Sequence, residues 1–143
     1  KDALLSTLSS LFDEKYEELT GLLTPEMTAM EQLLFLNREL FHMIEDSISL
    51  DLLARLYSTQ LTTNGEKHLL DHNRIYYKLL RKIIAKGQAE GQLSSRSNVN
   101  EMVKLYALCE RALLYDWCLC AGEYALTEYS AKVLPGFLSS FLP

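Results

Sequence analysis

The stretch LLRKIIAKGQAEGQLSSRSNVNEMVKLYALCERALLYDWCLCAGEYAL, residues 79–126, decides the fold. It begins as an amphipathic helix with apolar residues every three or four positions, and it then passes through a Ser-rich polar link. A second helix follows and ends near Gly122. Asn98, with Glu101 three positions later, matches a helix-start pattern with Asn in place of the usual Ser or Thr. The stretch therefore predicts two long helices joined by a short connection.

The same helical period continues on both sides of this stretch, and no segment alternates as a strand would. The first helix is predicted to end near Gly21, and the second to start at Thr24-Pro25-Glu26. The third is predicted to start at Ser47 or Ser49, and the fourth at about His68. The last helix is predicted from about Leu126 through Phe141. Pro135 is expected to kink the last helix. The chain is therefore predicted to be one all-α domain of about six helices, spanning residues 1–143.

Composition narrows the function classes. The 143 residues are 48% apolar and 23% charged, which is ordinary for one soluble globular domain. The net charge of −5 argues against a free-standing nucleic-acid binder, which needs clustered Lys and Arg. The three cysteines are odd in number and form no CxxC pair, so we expect reduced thiols in a cytoplasmic protein. The longest charge-free run, residues 133–143, is too short to span a membrane.

Histidine and cysteine spacings provide weak candidates for metal or thiol chemistry. Glu39 and His42 form one Glu-x-x-His pair, whereas a di-iron bundle needs two. His68 and His72 are four residues apart and could share a metal from one helix face. No nucleophile elbow or glycine-rich phosphate loop is present. We therefore expect no enzyme activity, metal or cofactor, and a sensor that uses His68, His72 or Cys118 remains an alternative.

Residues 79–126 resemble the C-terminal domain of the tetracycline-repressor (TetR) family of transcriptional regulators. The long helix ends in Gly-x-x-x-Gly-x-Leu, here Gly87, Gly91 and Leu93. The next helix carries a small residue five positions before a tryptophan, here Ala112 and Trp117, where the family often has Gly. The opening KDALLSTLSSLFDEKYEELTGLL, residues 1–23, also resembles the helix that links the family's DNA-binding head to the rest of the protein.

The resemblance implies an effector-binding and dimerisation body. The chain starts inside a helical pattern without an initiator Met, so we expect a fragment whose DNA-binding head lies upstream and makes any DNA contact. Effector binding would shift the spacing of the two first helices of a dimer, and hence of the heads. The alternative is a helical dimerisation or interaction module without a small-molecule ligand.

The effector pocket is expected between the first four helices and to be largely apolar. Its candidate lining residues are Phe12, Tyr16, Met30, Leu34, Arg38, Phe41, Tyr57, Tyr76 and Leu80. Arg38 is the residue expected to orient an anionic or carbonyl group, because an arginine among Leu and Phe must find a partner or reach water. A cavity below roughly 300 Å³, the low end for ligand sites, would leave only the dimer role.

Family members dimerise through their last two long helices, and helices five and six of this chain carry broad apolar faces with little charge. A homodimer is therefore expected, with an interface of upwards of about 2,000 Å² in total. The candidate contact residues are Val103, Tyr106, Leu113, Trp117, Val133, Phe137 and Phe141.

Overall fold

A computed structural model describes residues 2–65 and 67–143, and these residues form six α-helices and two short 3₁₀ helices. The α-helices are α1 (Asp2–Leu22), α2 (Ala29–Ser47), α3 (Leu50–Thr62), α4 (Ile75–Ala89), α5 (Val99–Leu119) and α6 (Leu126–Phe137). The 3₁₀ helices are His68–Leu70 and Ser139–Phe141. The prediction of an all-α, six-helix domain is confirmed.

Two predicted helix starts are confirmed because their signals are local. The Asn98 side chain accepts a hydrogen bond from the Glu101 backbone N–H at 2.9 Å, and the Glu101 carboxylate accepts one from the Asn98 N–H at 3.2 Å. Of the two serines considered for α3, Ser49 is the cap, since its hydroxyl accepts from the Leu52 N–H. Each cap satisfies backbone donors that the first helical turn leaves unpaired.

The start of α2 was predicted four residues too early. Thr24 only closes a turn, in which the Met27 N–H donates to its carbonyl at 3.1 Å. The helix begins after Thr28, whose hydroxyl accepts from the Glu31 N–H while the Glu31 carboxylate accepts from the Thr28 N–H. This reciprocal pair satisfies two donors at once, whereas the Thr24-Pro25-Glu26 pattern offers one cap.

The fourth and last helices also differ from their predicted bounds. The α4 helix begins at Ile75, because the chain from His68 forms a 3₁₀ helix and then a turn in which Asp71 accepts from the Asn73 N–H at 2.9 Å. The α6 helix contains Pro135 and ends at Phe137, so Phe141 lies in the second 3₁₀ helix.

The α2 helix lies at the centre of the domain and packs against α1, α4 and α6, while α5 packs against α3, α4 and α6. The crossing of α2 and α4 is close: a Cβ atom on Gly87 would lie 2.7 Å from the Ala29 Cβ and 2.8 Å from the Leu93 side chain. Gly87 is therefore required for packing.

Within the described residues, no helix combines the length and the apolar character that crossing a bilayer requires.

Candidate functional site

A cavity of about 50 Å³ lies between α1, α2, α3, α4 and α5. Four of the nine predicted pocket residues line it, namely Phe12, Tyr16, Tyr57 and Tyr76. The cavity is well below the roughly 300 Å³ expected as the low end for ligand sites, so the predicted effector pocket is not found and the dimer role is the prediction that is left. Since one water occupies about 30 Å³ in the liquid, the cavity has room for about one or two waters.

The other five predicted pocket residues do not line this cavity. Phe41 and Leu80 are fully buried in the core, and Met30 and Leu34 are partly buried against it. Arg38 points to solvent: its guanidinium lies 3.5 Å from the Glu39 carboxylate and 5.5 Å from the centroid of the Phe35 ring. The role predicted for Arg38 is therefore corrected, because its long side chain reaches water instead of crossing the core.

One group of buried polar side chains near the cavity is fully bonded, and we call Asn37, Tyr76, Glu110 and Ser130 the Glu110 network. The Glu110 carboxyl accepts from the Tyr76 hydroxyl at 2.6 Å and from the Asn37 amide at 2.8 Å. The side-chain oxygen Oδ1 of Asn37 accepts from the Ser130 hydroxyl at 2.6 Å. Burial raises the pKa of Glu110 above its ordinary value. The network joins α2, α4, α5 and α6.

A second group has buried polar atoms without partners among the described residues, and we call Asp13, Tyr16, His68 and Arg74 the corner cluster. The unpaired atoms are Asp13 Oδ1, the Tyr16 hydroxyl, His68 Nε2 and Arg74 Nε. Burial and then the charge of Arg74 lower the pKa of His68, while the charge of Asp13 opposes this shift, so these groups are near one another. Tyr16 and Arg74 line the cavity. The cluster joins α1, the first 3₁₀ helix and the start of α4.

Tyr77 and Arg111 separate the cavity from an open groove on the surface, since both residues line both spaces. The Arg111 guanidinium donates to the Tyr77 hydroxyl at 3.1 Å, and that hydroxyl donates to the Leu69 carbonyl at 2.7 Å. This outer groove has a volume of about 840 Å³ and lies between the first 3₁₀ helix, α4 and α5. Its other ionisable side chains are His72, Arg81, Lys104 and Glu101.

Five of the seven predicted dimer contacts lie inside the domain. Val103, Tyr106, Leu113, Trp117 and Phe141 are buried in the core, which corrects their assignment to an intermolecular surface. The reason is that α5 has two apolar stripes, and the stripe containing the first four of these residues packs against the rest of the domain. Phe141 is buried from the second 3₁₀ helix. Val133 is half-buried and Phe137 is 50% exposed.

Apolar residues of a second stripe of α5 and of one side of α6 are exposed or half-buried, and we call the two sets together the α5–α6 face. At the C-terminal end of α5, Tyr115 and Leu119 also border a groove against α3. On α5 the face includes Leu108, Tyr115 and Leu119, which are 49%, 50% and 69% exposed. Its full set of members is Leu105, Leu108, Ala112, Tyr115 and Leu119 on α5, with Tyr129, Val133 and Phe137 on α6. Sequence reasoning identified the two helices but chose the inner stripe of α5.

The residues considered for metal or thiol chemistry are dispersed. Among the described residues, no three His, Cys, Asp or Glu side chains are close enough to hold a metal ion. His72 stacks on Tyr77 with 4.5 Å between ring centroids, and His68 lies in the separate 3₁₀ helix, so the two do not share the predicted helix face. Burial raises the pKa of Cys118, which disfavours its reactive thiolate.

Comparison with known proteins returns no match to this chain among protein families, curated proteins or solved structures. Functional inference therefore depends on the cavity, the two polar clusters and the α5–α6 face, together with the sequence resemblance.

Proposed function

We propose that this chain is the dimerisation body of a TetR-like transcriptional regulator, with α1 as the link to an upstream DNA-binding head, and that it acts by binding rather than by catalysis. The observation that carries the dimer is the exposed α5–α6 face. The resemblance in residues 79–126 supports the choice of family.

The spacing of the face favours a helical partner. Leu105, Leu108, Ala112, Tyr115 and Leu119 follow one another at steps of three, four, three and four, the spacing that packs helices side by side. Large apolar side chains grouped on a surface mark an interaction site. A second copy of the chain offers the same face, so a two-fold dimer covers both faces with one self-complementary interface.

Sedimentation of the purified protein tests the dimer. We expect a species of twice the 16.4 kDa chain mass at micromolar concentration. Leu108→Glu should produce monomers, because it buries an unpaired charge in the interface. Leu22→Glu is the matched control, since Leu22 is 51% exposed at the end of α1, away from the face. A wild-type protein that sediments only as a monomer contradicts the proposal.

The predicted effector pocket is not proposed again, because the cavity is far below about 300 Å³. The corner cluster instead favours a second proposed function, the binding of a guest no larger than about one or two waters or a small ion. A buried donor without a partner costs about 1–3 kcal/mol, so the Tyr16 hydroxyl and Arg74 Nε favour a polar guest. The 50 Å³ cavity excludes a drug-sized effector in this conformation, so the guest must be small. A guest held by both α1 and α4 would favour one position of α1 and thereby of the heads.

A thermal-shift screen of small ions tests this second function. A ligand at a hundredfold excess over its dissociation constant should stabilise the fold by about 2.7 kcal/mol. If no ion raises the melting temperature while the dimer is intact, the dimerisation module without a ligand is the better description.

A further inference from the structure

The outer groove, which the roles proposed above do not use, has the size of a small-molecule site. Its volume of about 840 Å³ falls within the roughly 300–1,000 Å³ of known ligand pockets. Part of its wall is apolar, formed by Leu70, which is 52% exposed, by Ala107 and by Tyr77. The rest is polar or charged, so the groove suits a ligand that has both a charged group and a neutral part.

Positive charge is concentrated in this groove although the chain as a whole is acidic, with a net charge of −5. Arg81, Lys104 and Arg111 line the groove, and Glu101 is the one carboxylate in the described lining. None of the three cations forms an ion pair with a described carboxylate. A cleft lined mainly by one sign of charge attracts small ions of the opposite sign, here anions.

Hydrogen bonds hold both guanidinium groups at the wall of the groove. Arg81 donates to the His72 carbonyl at 2.9 Å, and Arg111 donates to the Tyr77 hydroxyl at 3.1 Å. His72 and Tyr77 themselves line the groove, and their rings stack with 4.5 Å between centroids. A guanidinium has several N–H donors, so each arginine keeps donors for a ligand. Arginines positioned in this way bind phosphate or carboxylate through paired hydrogen bonds.

The number of charges favours a phosphate monoester over a monocarboxylate. A phosphate monoester carries a charge of about −1.5 to −2 at pH 7 and has three acceptor oxygens, which matches three cations opposed by one acid. A carboxylate offers one charge and two oxygens. Asn73, Asn98 and Asn100 also line the groove, and amide side chains can bond hydroxyl or ring nitrogen groups of the organic part.

We propose that the outer groove binds a small organic phosphate monoester, with its phosphate on Arg81, Lys104 and Arg111 and its organic part against the asparagines and Tyr77. The inference goes beyond the functions proposed above, because it uses neither the corner cluster nor the α5–α6 face.

Isothermal titration of the intact protein with glucose 6-phosphate and with adenosine monophosphate tests the inference. The two esters share the phosphate and differ in the organic part, and we expect a Kd of about 0.1–1 mM for at least one of them. Saturable binding of either ester supports the inference, and the tighter ester identifies the organic part. Neutral glucose and inorganic phosphate should each bind about tenfold more weakly, since each lacks one half of the recognised ligand.

Three substitutions assign the binding to the groove. Lys104→Gln removes an exposed charge and should weaken binding about threefold to tenfold, and Arg81→Gln should weaken it about tenfold or more. Glu101→Gln should strengthen binding about twofold to fivefold, because the amide can keep the helix cap while the opposing charge is lost. Lys82→Gln is the matched control, since Lys82 is exposed on the same helix as Arg81 but does not line the groove.

Four results overturn the inference. They are no saturable binding of either ester up to about 10 mM, equal affinity for glucose, equal affinity for inorganic phosphate (which leaves a site for a free anion only), and equal weakening by Lys82→Gln and Lys104→Gln. If Arg81→Gln fails to fold, Lys104→Gln still decides the question, because its side chain is exposed. Sedimentation of the same samples reports on the dimer separately, so failure of this inference is distinguishable from failure of the dimer.

Discussion

Two sets of buried polar groups, each with members that line the same cavity, differ in one respect. In the Glu110 network, each oxygen of Glu110 and the side-chain oxygen of Asn37 accepts a hydrogen bond from another helix. In the corner cluster, four buried atoms have no partner among the described residues. A bonded network specifies how helices pack, whereas unsatisfied groups in a native interior call for water, an ion or a ligand. This difference distinguishes a network that stabilises the fold from a cluster that is a candidate binding site.

The largest expected effect comes from breaking the Glu110 network. Asn37→Leu removes the amide that bonds both Glu110 and Ser130, so it leaves a buried carboxyl oxygen and a buried hydroxyl unpaired. We expect a loss of about 2–4 kcal/mol in the free energy of unfolding, measured by urea denaturation. Asn100→Leu, at an exposed position on α5, should change it by less than about 0.5 kcal/mol. Equal changes in the free energy of unfolding from the two variants would contradict a structural role of the network.

Removing a tyrosine hydroxyl should change the free energy of unfolding with opposite sign in the two sets. The Tyr106 hydroxyl is buried near the network and donates to the Leu33 carbonyl at 2.6 Å, so Tyr106→Phe should destabilise the protein by about 1–2 kcal/mol. Tyr16→Phe removes an unpaired hydroxyl and should stabilise the ligand-free protein by about 1 kcal/mol. Denaturation curves check both. Destabilisation of similar size in both variants would show that the Tyr16 hydroxyl is already bonded.

A smaller effect is expected from the titration of Glu110. Burial raises its pKa in the folded protein, so the folded state holds this proton more tightly than the unfolded state. The stability contributed by the protonated group is complete below the ordinary pKa of 4.5 and is lost as the pH rises through the higher folded value. The stability of the wild type relative to Glu110→Gln should therefore fall as the pH rises above 4.5. A difference that is constant with pH contradicts the shift.

Local signals in the sequence were sufficient to predict that the six helices exist, and they were present at most of the helix starts. The Ser49 and Asn98 caps depend on residues three positions apart, and the Thr28-x-x-Glu31 box that begins α2 was present in the sequence although the earlier Thr24 pattern was chosen. The break before α4 depends on the turn at Asp71, which also has a local signal. Fold class followed from periodicity because the apolar stripes are strong in every helix.

The candidate site depends on contacts between distant parts of the chain, and sequence patterns do not contain them. Periodicity marks both apolar stripes of α5 but does not indicate which one faces the core, so the interior stripe with Tyr106 and Trp117 was assigned to the dimer. Arg74 was not among the residues predicted for the pocket, yet the turn before α4 places it in the lining of the cavity. Glu110 accepts a hydrogen bond from Asn37, which lies 73 positions earlier in the sequence, so no local pattern indicates the pair.

A crystal structure of the protein tests most directly the claim that the corner cluster holds a small guest. The account predicts density for a water or a small ion about 3 Å from the Tyr16 hydroxyl or from Arg74 Nε. A Tyr16 hydroxyl and an Arg74 Nε that both donate to other residues of the chain, with no guest beside them, contradict it.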